Sequence, residues 1–158
     1  MPTKPSHWLM KCEPDAYSID DLKRDGKTSW EGVRNYQARN FMRDQMQIGD
    51  WVFFYHSNAE PSGIAGIAKV CKSGYTDATA LDPKSKYFDE AATPSNPRWV
   101  MVDIQFIEKF PRLITLEDLR RQKSLAKMVV LQKGSRLSVQ PVTAEEFDSV
   151  KLLAVKNS

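Results

Sequence analysis

Trp30, Arg34, Asn35 and Tyr36 stand close together in the stretch SWEGVRNYQARNFMRD. Two aromatic faces can stack on a flat ring, and an amide can both donate and accept along that ring's edge. A guanidinium suits a phosphate or a carbonyl. The set therefore fits the grip on a planar, polar ligand such as a nucleobase. It fits an ordinary helix start somewhat better. In that reading Asn35 caps a stripe made by Ala38, Phe41, Met42 and Met46, the rings pack inward, and Arg34 and Arg39 are solvated. The segment alone supports both.

Two other places carry polar chemistry beside aromatics. Tyr55-His56-Ser57 ends an apolar run and supplies a ring, a possible base and a hydroxyl, and Lys86-Tyr87-Phe88-Asp89 offers two rings beside a lysine. A loop aromatic can close over a base by stacking, or simply anchor its loop. His56 and Asp103 are the only groups that invite a catalytic reading. There is no G-x-S-x-G, C-x-x-C, GxxxxGK[ST] or GxGxxG, so no nucleophile elbow or phosphate loop is evident and no catalytic residue is assigned. Cys12 and Cys71, with His7 and His56, lack metal-ligand spacing. Both cysteines read as buried reduced thiols, and neither a metal nor a cofactor is expected.

The net charge of +3 is unevenly spread. Lys109, Arg112, Arg120, Arg121, Lys123, Lys127, Lys133 and Arg136 face only Glu117 and Asp118 in sequence, a local excess of positive charge that suits a polyanion or a solvated surface. The longest apolar run, Trp51 to Tyr55, is far too short to span a membrane, and the first residues carry no apolar core of a secretory signal. A cytoplasmic location without a membrane partner is expected, and no obligate protein partner is evident.

These residues need elements to position them. Trp8, Met10 and Cys12 alternate onto one face of a strand over 7–13. Ser18 and Asp21 form a capping box for a short helix that Gly26 stops. Asn35 starts a second helix that runs to Gly49. WVFFYHS is a central strand, NAEPSG a turn, and 64–75 the returning strand of a hairpin. Residues 76–98 form a long loop, followed by an alternating strand from Trp99. Thr115 and Asp118 cap a short helix, 124–132 is ambiguous, RLSVQPV is a last strand, and Thr143 with Glu146 opens a terminal helix. The order predicts a single α+β domain over 1–158, a small mixed or antiparallel barrel of five or six strands with short peripheral helices.

The segments WEGVRNYQARNFMRD, GDWVFFYHSN, GIAGIAKV, KYFD followed by PRWVMVDI, and SRLSVQPV, in that order, resemble the EVE domain family from residue 7 to about 150. The resemblance implies a PUA-like fold related to YTH domains, which hold methylated adenine of RNA in an aromatic cage. It also implies a reader of modified bases, modified cytosine above all. Carried onto this chain, the pocket would be walled by Trp30, Arg34, Asn35, Tyr36, Tyr55 and Ser57, with Tyr87 from the loop and Ser135 and Arg136 closing the other side. The second cage tryptophan of YTH domains has no counterpart in 76–98, so methyl-adenine specificity is not carried over. Phosphates would meet Arg39, Arg43, Arg120, Arg121, Lys123 and Lys127. The expected function is non-enzymatic binding of DNA or RNA bearing a modified base. The alternatives are a sensor of a planar metabolite and an enzyme acting on a modified base through His56 or Asp103.

Overall fold

The computed structural model describes residues 5–133 and 137–156. Six strands, β1 (His7–Cys12), β2 (Lys27–Ser29), β3 (Trp51–His56), β4 (Gly63–Thr76), β5 (Val100–Thr115) and β6 (Val139–Val142), form one sheet in the order β2-β5-β4-β3-β1-β6. β1 runs parallel to β3, and every other neighbouring pair is antiparallel. The mixed α+β architecture is the one the element order predicted. Among the described residues, however, β2 and β6 each pair on one side only, so the sheet does not close into a barrel.

Both faces of the central strands are buried. Side chains alternate along a strand, so Trp8, Met10, Val52 and Phe54 enter one core while Leu9, Phe53 and Tyr55 enter another. That is why WVFFYHS reads as a continuous apolar run rather than a half-polar alternation. The first core is covered by α1 (Ile19–Asp25) and α2 (Tyr36–Asn40), through Ile19, Leu22 and Ala38. The second is covered by α3 (Leu116–Arg120), short 3-10 turns at Lys123–Leu125 and Val129–Leu131, and α4 (Ala144–Lys156), through Leu119, Leu125, Val130 and Phe147. The segment whose pattern was ambiguous thus becomes two single turns that present Leu125, Met128 and Val130 inward.

The expected caps are present. Ser18 Oγ accepts from the Asp21 N–H at 3.2 Å, the Asp21 carboxylate accepts from the Ser18 N–H at 2.9 Å, and Gly26 ends α1 at φ +82°. Thr115 with Asp118, and Thr143 with Glu146, make the same reciprocal pair. Three details differ from expectation. After Asn40 the helix widens into a π turn at Phe41–Gln45, which leaves Phe41 half-buried while Met42 and Met46 stay in the core. β2 is a three-residue edge strand, KTS, too short and too polar to show a period. Cys12 and Cys71 are free and half-buried rather than enclosed, because each sits near the end of an apolar stretch.

Candidate functional site

The sheet curls far enough for its two edges to share a cavity of about 430 Å³. Thr28 and Ser29 of β2 line one side and lead into Trp30, Gly32 and Arg34. Lys11 and Cys12 at the end of β1, with Ser138 just before β6, line the other. Tyr17 comes from the turn before α1, and Lys86 and Tyr87 come from the long loop. The opening left by the unclosed sheet is therefore the cavity.

Trp30 is held from behind. Its N–H donates to the Val102 carbonyl at 2.8 Å, extending the β2–β5 pairing, and its ring meets Phe54 edge-on at 5.5 Å. The side chain is only 8% exposed, and its indole N–H bonds to no described residue. Among the described residues no enclosed side-chain nitrogen or oxygen lacks a partner, so this N–H is reached by solvent, and Trp30 is one of the residues lining the cavity. It is a free donor beside an aromatic surface.

The wall continues through a latch between residues 32–34 and the loop. Gly32 sits at φ +82°, and a Cβ there would come within 2.6 Å of the Tyr87 ring, so the ring lies directly on the glycine backbone. Arg34 donates to the Tyr87 carbonyl from Nε at 3.1 Å and from Nη2 at 2.7 Å. Its Nη1 also reaches the carboxylate of Asp77 at 3.1 Å. That carboxylate is fully buried and accepts from the Gly32 N–H at 2.8 Å and the Thr79 hydroxyl at 2.5 Å. Burial pushes the Asp77 carboxyl up, but the hydrogen bonds from Thr79, Gly32 and Arg34 outweigh it and hold the group below the usual carboxylate range.

Elsewhere on the wall, burial pushes the Cys12 thiol up and the Lys11 ammonium down. Burial and the hydrogen bond to Asp25 raise the Tyr17 phenol. At neutral pH the cavity is thus lined by a neutral thiol, a neutral phenol and Ser138 beside the indole, while the Ser29 hydroxyl is taken up by Tyr75 at 3.2 Å. It can stack a planar ring and hydrogen-bond its edge.

Of the residues singled out from sequence, Trp30, Arg34 and Tyr87 come together here. Asn35 caps α2, its Oδ1 accepting from the Ala38 N–H at 2.9 Å. Tyr36 lies outside, stacked on Trp99 at 4.9 Å. Tyr55 belongs to the second core on the opposite face, 3% exposed, where burial pushes its phenol up to about 12. A one-residue step along β3 exchanges faces, and the bulge between Phe54 and Tyr55 does not bring its ring back. Ser57 does not line the cavity; its backbone N–H donates to the Cys12 carbonyl at 3.0 Å. Ser135 and Arg136 lie outside the described residues.

The cations separate in the same way. Arg39 donates to Asn40 and to the Arg98 carbonyl, and Arg43 pairs with Asp44 at 2.7 Å. Arg121 pairs with Glu117 at 3.1 Å. Arg120, Lys123 and Lys127 are exposed, on the segment covering the second core. None of these lines the cavity. His56 Nε2 accepts from the Ile19 N–H at 3.1 Å, and Asp103 accepts from the Tyr75 hydroxyl, so both have structural partners.

Sequence reasoning missed Lys11, Cys12, Tyr17, Ser29, Ser138 and Asp77. The edge-to-edge approach of β2 and β1/β6 leaves no mark on any one segment. Gly32 could have been found: a glycine between Trp30 and Arg34 signals a turn with positive φ.

Comparison with known proteins gives a consistent assignment. The EVE domain profile matches residues 6–152. Human thymocyte nuclear protein 1 is 43% identical over 169 aligned residues, covering 96% of this chain and 75% of that protein. A hypothetical protein from Leishmania major superposes with a TM-score of 0.93 at 44% identity, covering 98% of this chain and 97% of that one. Human THYN1 solved in complex with 5-methylcytosine-containing DNA superposes with a TM-score of 0.88 at 43% identity, covering 94% and 97%.

Proposed function

Since the chain belongs to the EVE domain family, we propose that it binds DNA carrying a modified cytosine and takes the modified base into the cavity between the sheet edges. The observation that carries this reading is the cavity wall: Trp30 with its unengaged indole N–H on one side and Lys11, Cys12 and Ser138 on the other, around a space of about 430 Å³. That volume lies within the range of small-ligand sites. The human relative solved with 5-methylcytosine DNA supports the choice of base. Taking a base out of a duplex costs unstacking energy, so single-stranded or mispaired targets bind more tightly than paired ones.

In this reading Trp30 supplies the stacking face and one edge donor, Tyr87 closes the loop side, and Arg34 holds Tyr87 in place. The test is a fluorescence titration with matched oligonucleotides containing 5-methylcytosine or cytosine. The wild type is expected to prefer the methylated strand, and Trp30→Ala to weaken its binding by about tenfold or more, the usual worth of one base stack. Equal affinity for both strands, unchanged by Trp30→Ala, would falsify the reading.

A further inference from the structure

A second aromatic surface adjoins the cavity and is left open. Tyr36 is 49% exposed and stacks on Trp99, which is buried, at 4.9 Å with the planes 23° apart. Two guanidinium groups flank this pair. Arg39 lies 4.7 Å from the centre of the Tyr36 ring and 5.7 Å from that of Trp99, and Arg98 lies 5.7 and 5.8 Å from the same two centres. Arg39 is thus the nearer to Tyr36, and Arg98 also donates to the Tyr36 hydroxyl. With both cations in place, about half of Tyr36 still remains open to solvent.

The surface is connected to the cavity. Arg34, which lines the cavity, lies 5.7 Å from the Tyr87 ring and 5.3 Å from Trp99. A continuous series, Tyr87, Arg34, Trp99, Tyr36, leads from the cavity wall to the exposed ring. The platform is rigid: Trp99 Nε1 donates to Asp89 at 2.7 Å, Arg98 pairs with the same carboxylate at 3.3 Å, and Arg39 holds the Arg98 carbonyl at 2.9 Å. Arg39 forms no ion pair among the described residues, so its charge is not cancelled by a bonded acid.

We infer that Tyr36 is a stacking platform for the nucleotide next to the one held in the cavity, with Arg39 placed against that nucleotide's phosphate. An exposed ring backed by a second ring, with flanking cations, has the composition of a single-strand stacking site. The inference rests on the cavity reading for the position of its neighbour, and its test separates the two.

Binding is measured for wild type, Tyr36→Ala and Tyr36→Phe with three ligands: an oligonucleotide with one 5-methylcytosine, the same strand with an abasic nucleotide on either side of it, and 5-methyl-deoxycytidine monophosphate. The expected result is that Tyr36→Ala weakens the full strand about tenfold, Tyr36→Phe does not, and the mononucleotide binds all three proteins alike. An abasic nucleotide on one flank should weaken wild type as much as Tyr36→Ala does and add nothing to that variant. A Tyr36→Ala protein that matches wild type on the full strand overturns the inference, as does one that loses the mononucleotide equally. If cavity recognition fails, methylated and plain strands bind alike, while a Tyr36-dependent loss on both still reports the platform.

Discussion

At the level of single residues, the site depends on a glycine as much as on its aromatics. Gly32 combines a positive φ with a Tyr87 ring against its Cα, so Gly32→Ala both strains the backbone and pushes the ring away. We expect a loss of about 1–3 kcal/mol in urea unfolding, together with weaker strand binding because Tyr87 no longer closes the cavity. Arg34 has its fork committed to the Tyr87 carbonyl and to Asp77, a buried carboxylate. Removing it strands that charge. Arg34→Ala should therefore cost roughly 3 kcal/mol, and Arg34→Lys should recover only part, since an ammonium cannot reproduce two parallel donors to one carbonyl plus the ion pair. An Arg34→Lys protein as stable as wild type would show that the fork is not needed. Only the family resemblance places Arg34 on the pocket wall, since its own segment fits a solvated arginine as well. Its partners were not legible in sequence, because Asp77 and Tyr87 are more than forty positions away and nothing local marks them.

At the level of elements, two residues that invite a chemical role serve as caps. Asn35 accepts from the Ala38 N–H, so Asn35→Ala should cost about 1 kcal/mol of stability while changing strand affinity far less than Trp30→Ala. Loss of binding at unchanged stability would instead put the amide in contact with the ligand. His56 accepts at Nε2 from the Ile19 N–H at the start of α1, which requires that nitrogen to be unprotonated. Burial, opposed by Asp20 and reinforced by Lys109, holds its pKa below 6.5, and burial also lowers His7. A histidine with a lowered folded pKa takes up its proton more readily when unfolded. Its contribution to stability is complete above pH 6.5 and is lost as pH falls below that value. Thermal melts between pH 7.5 and 5.5 should show a declining midpoint, with a smaller decline in His56→Gln. An identical slope in that variant would remove His56 as the cause. The capping boxes at Ser18, Thr115 and Thr143 were all readable in advance because a cap is a contact between residues three apart.

At the level of the whole molecule, the sheet's failure to close creates the cavity, and the same topology sorts the positive charge. Arg39 belongs to the side carrying the cavity wall and the Tyr36 platform, whereas Arg120, Lys123 and Lys127 decorate the segment covering the second core. Binding to a strand should weaken with salt through counterion release. Arg39→Ala should lower the slope of log affinity against log salt by about one, and Lys123→Ala with Lys127→Ala should leave it unchanged. The reverse outcome would move the strand's path to the other face. The sequence by itself determined the order of the longer elements (though not the edge strand β2), their caps, the doubly buried central strand and, through its resemblance to a family, the kind of fold, because these depend on contacts within a few residues or on whole-chain pattern. Only the tertiary structure decided which aromatics share a space. Whether Tyr55 faces the cavity or the opposite core turns on a single step of strand register, and whether Lys11 and Ser138 meet Trp30 turns on how far the sheet curls. Neither quantity is written in any one segment of the chain.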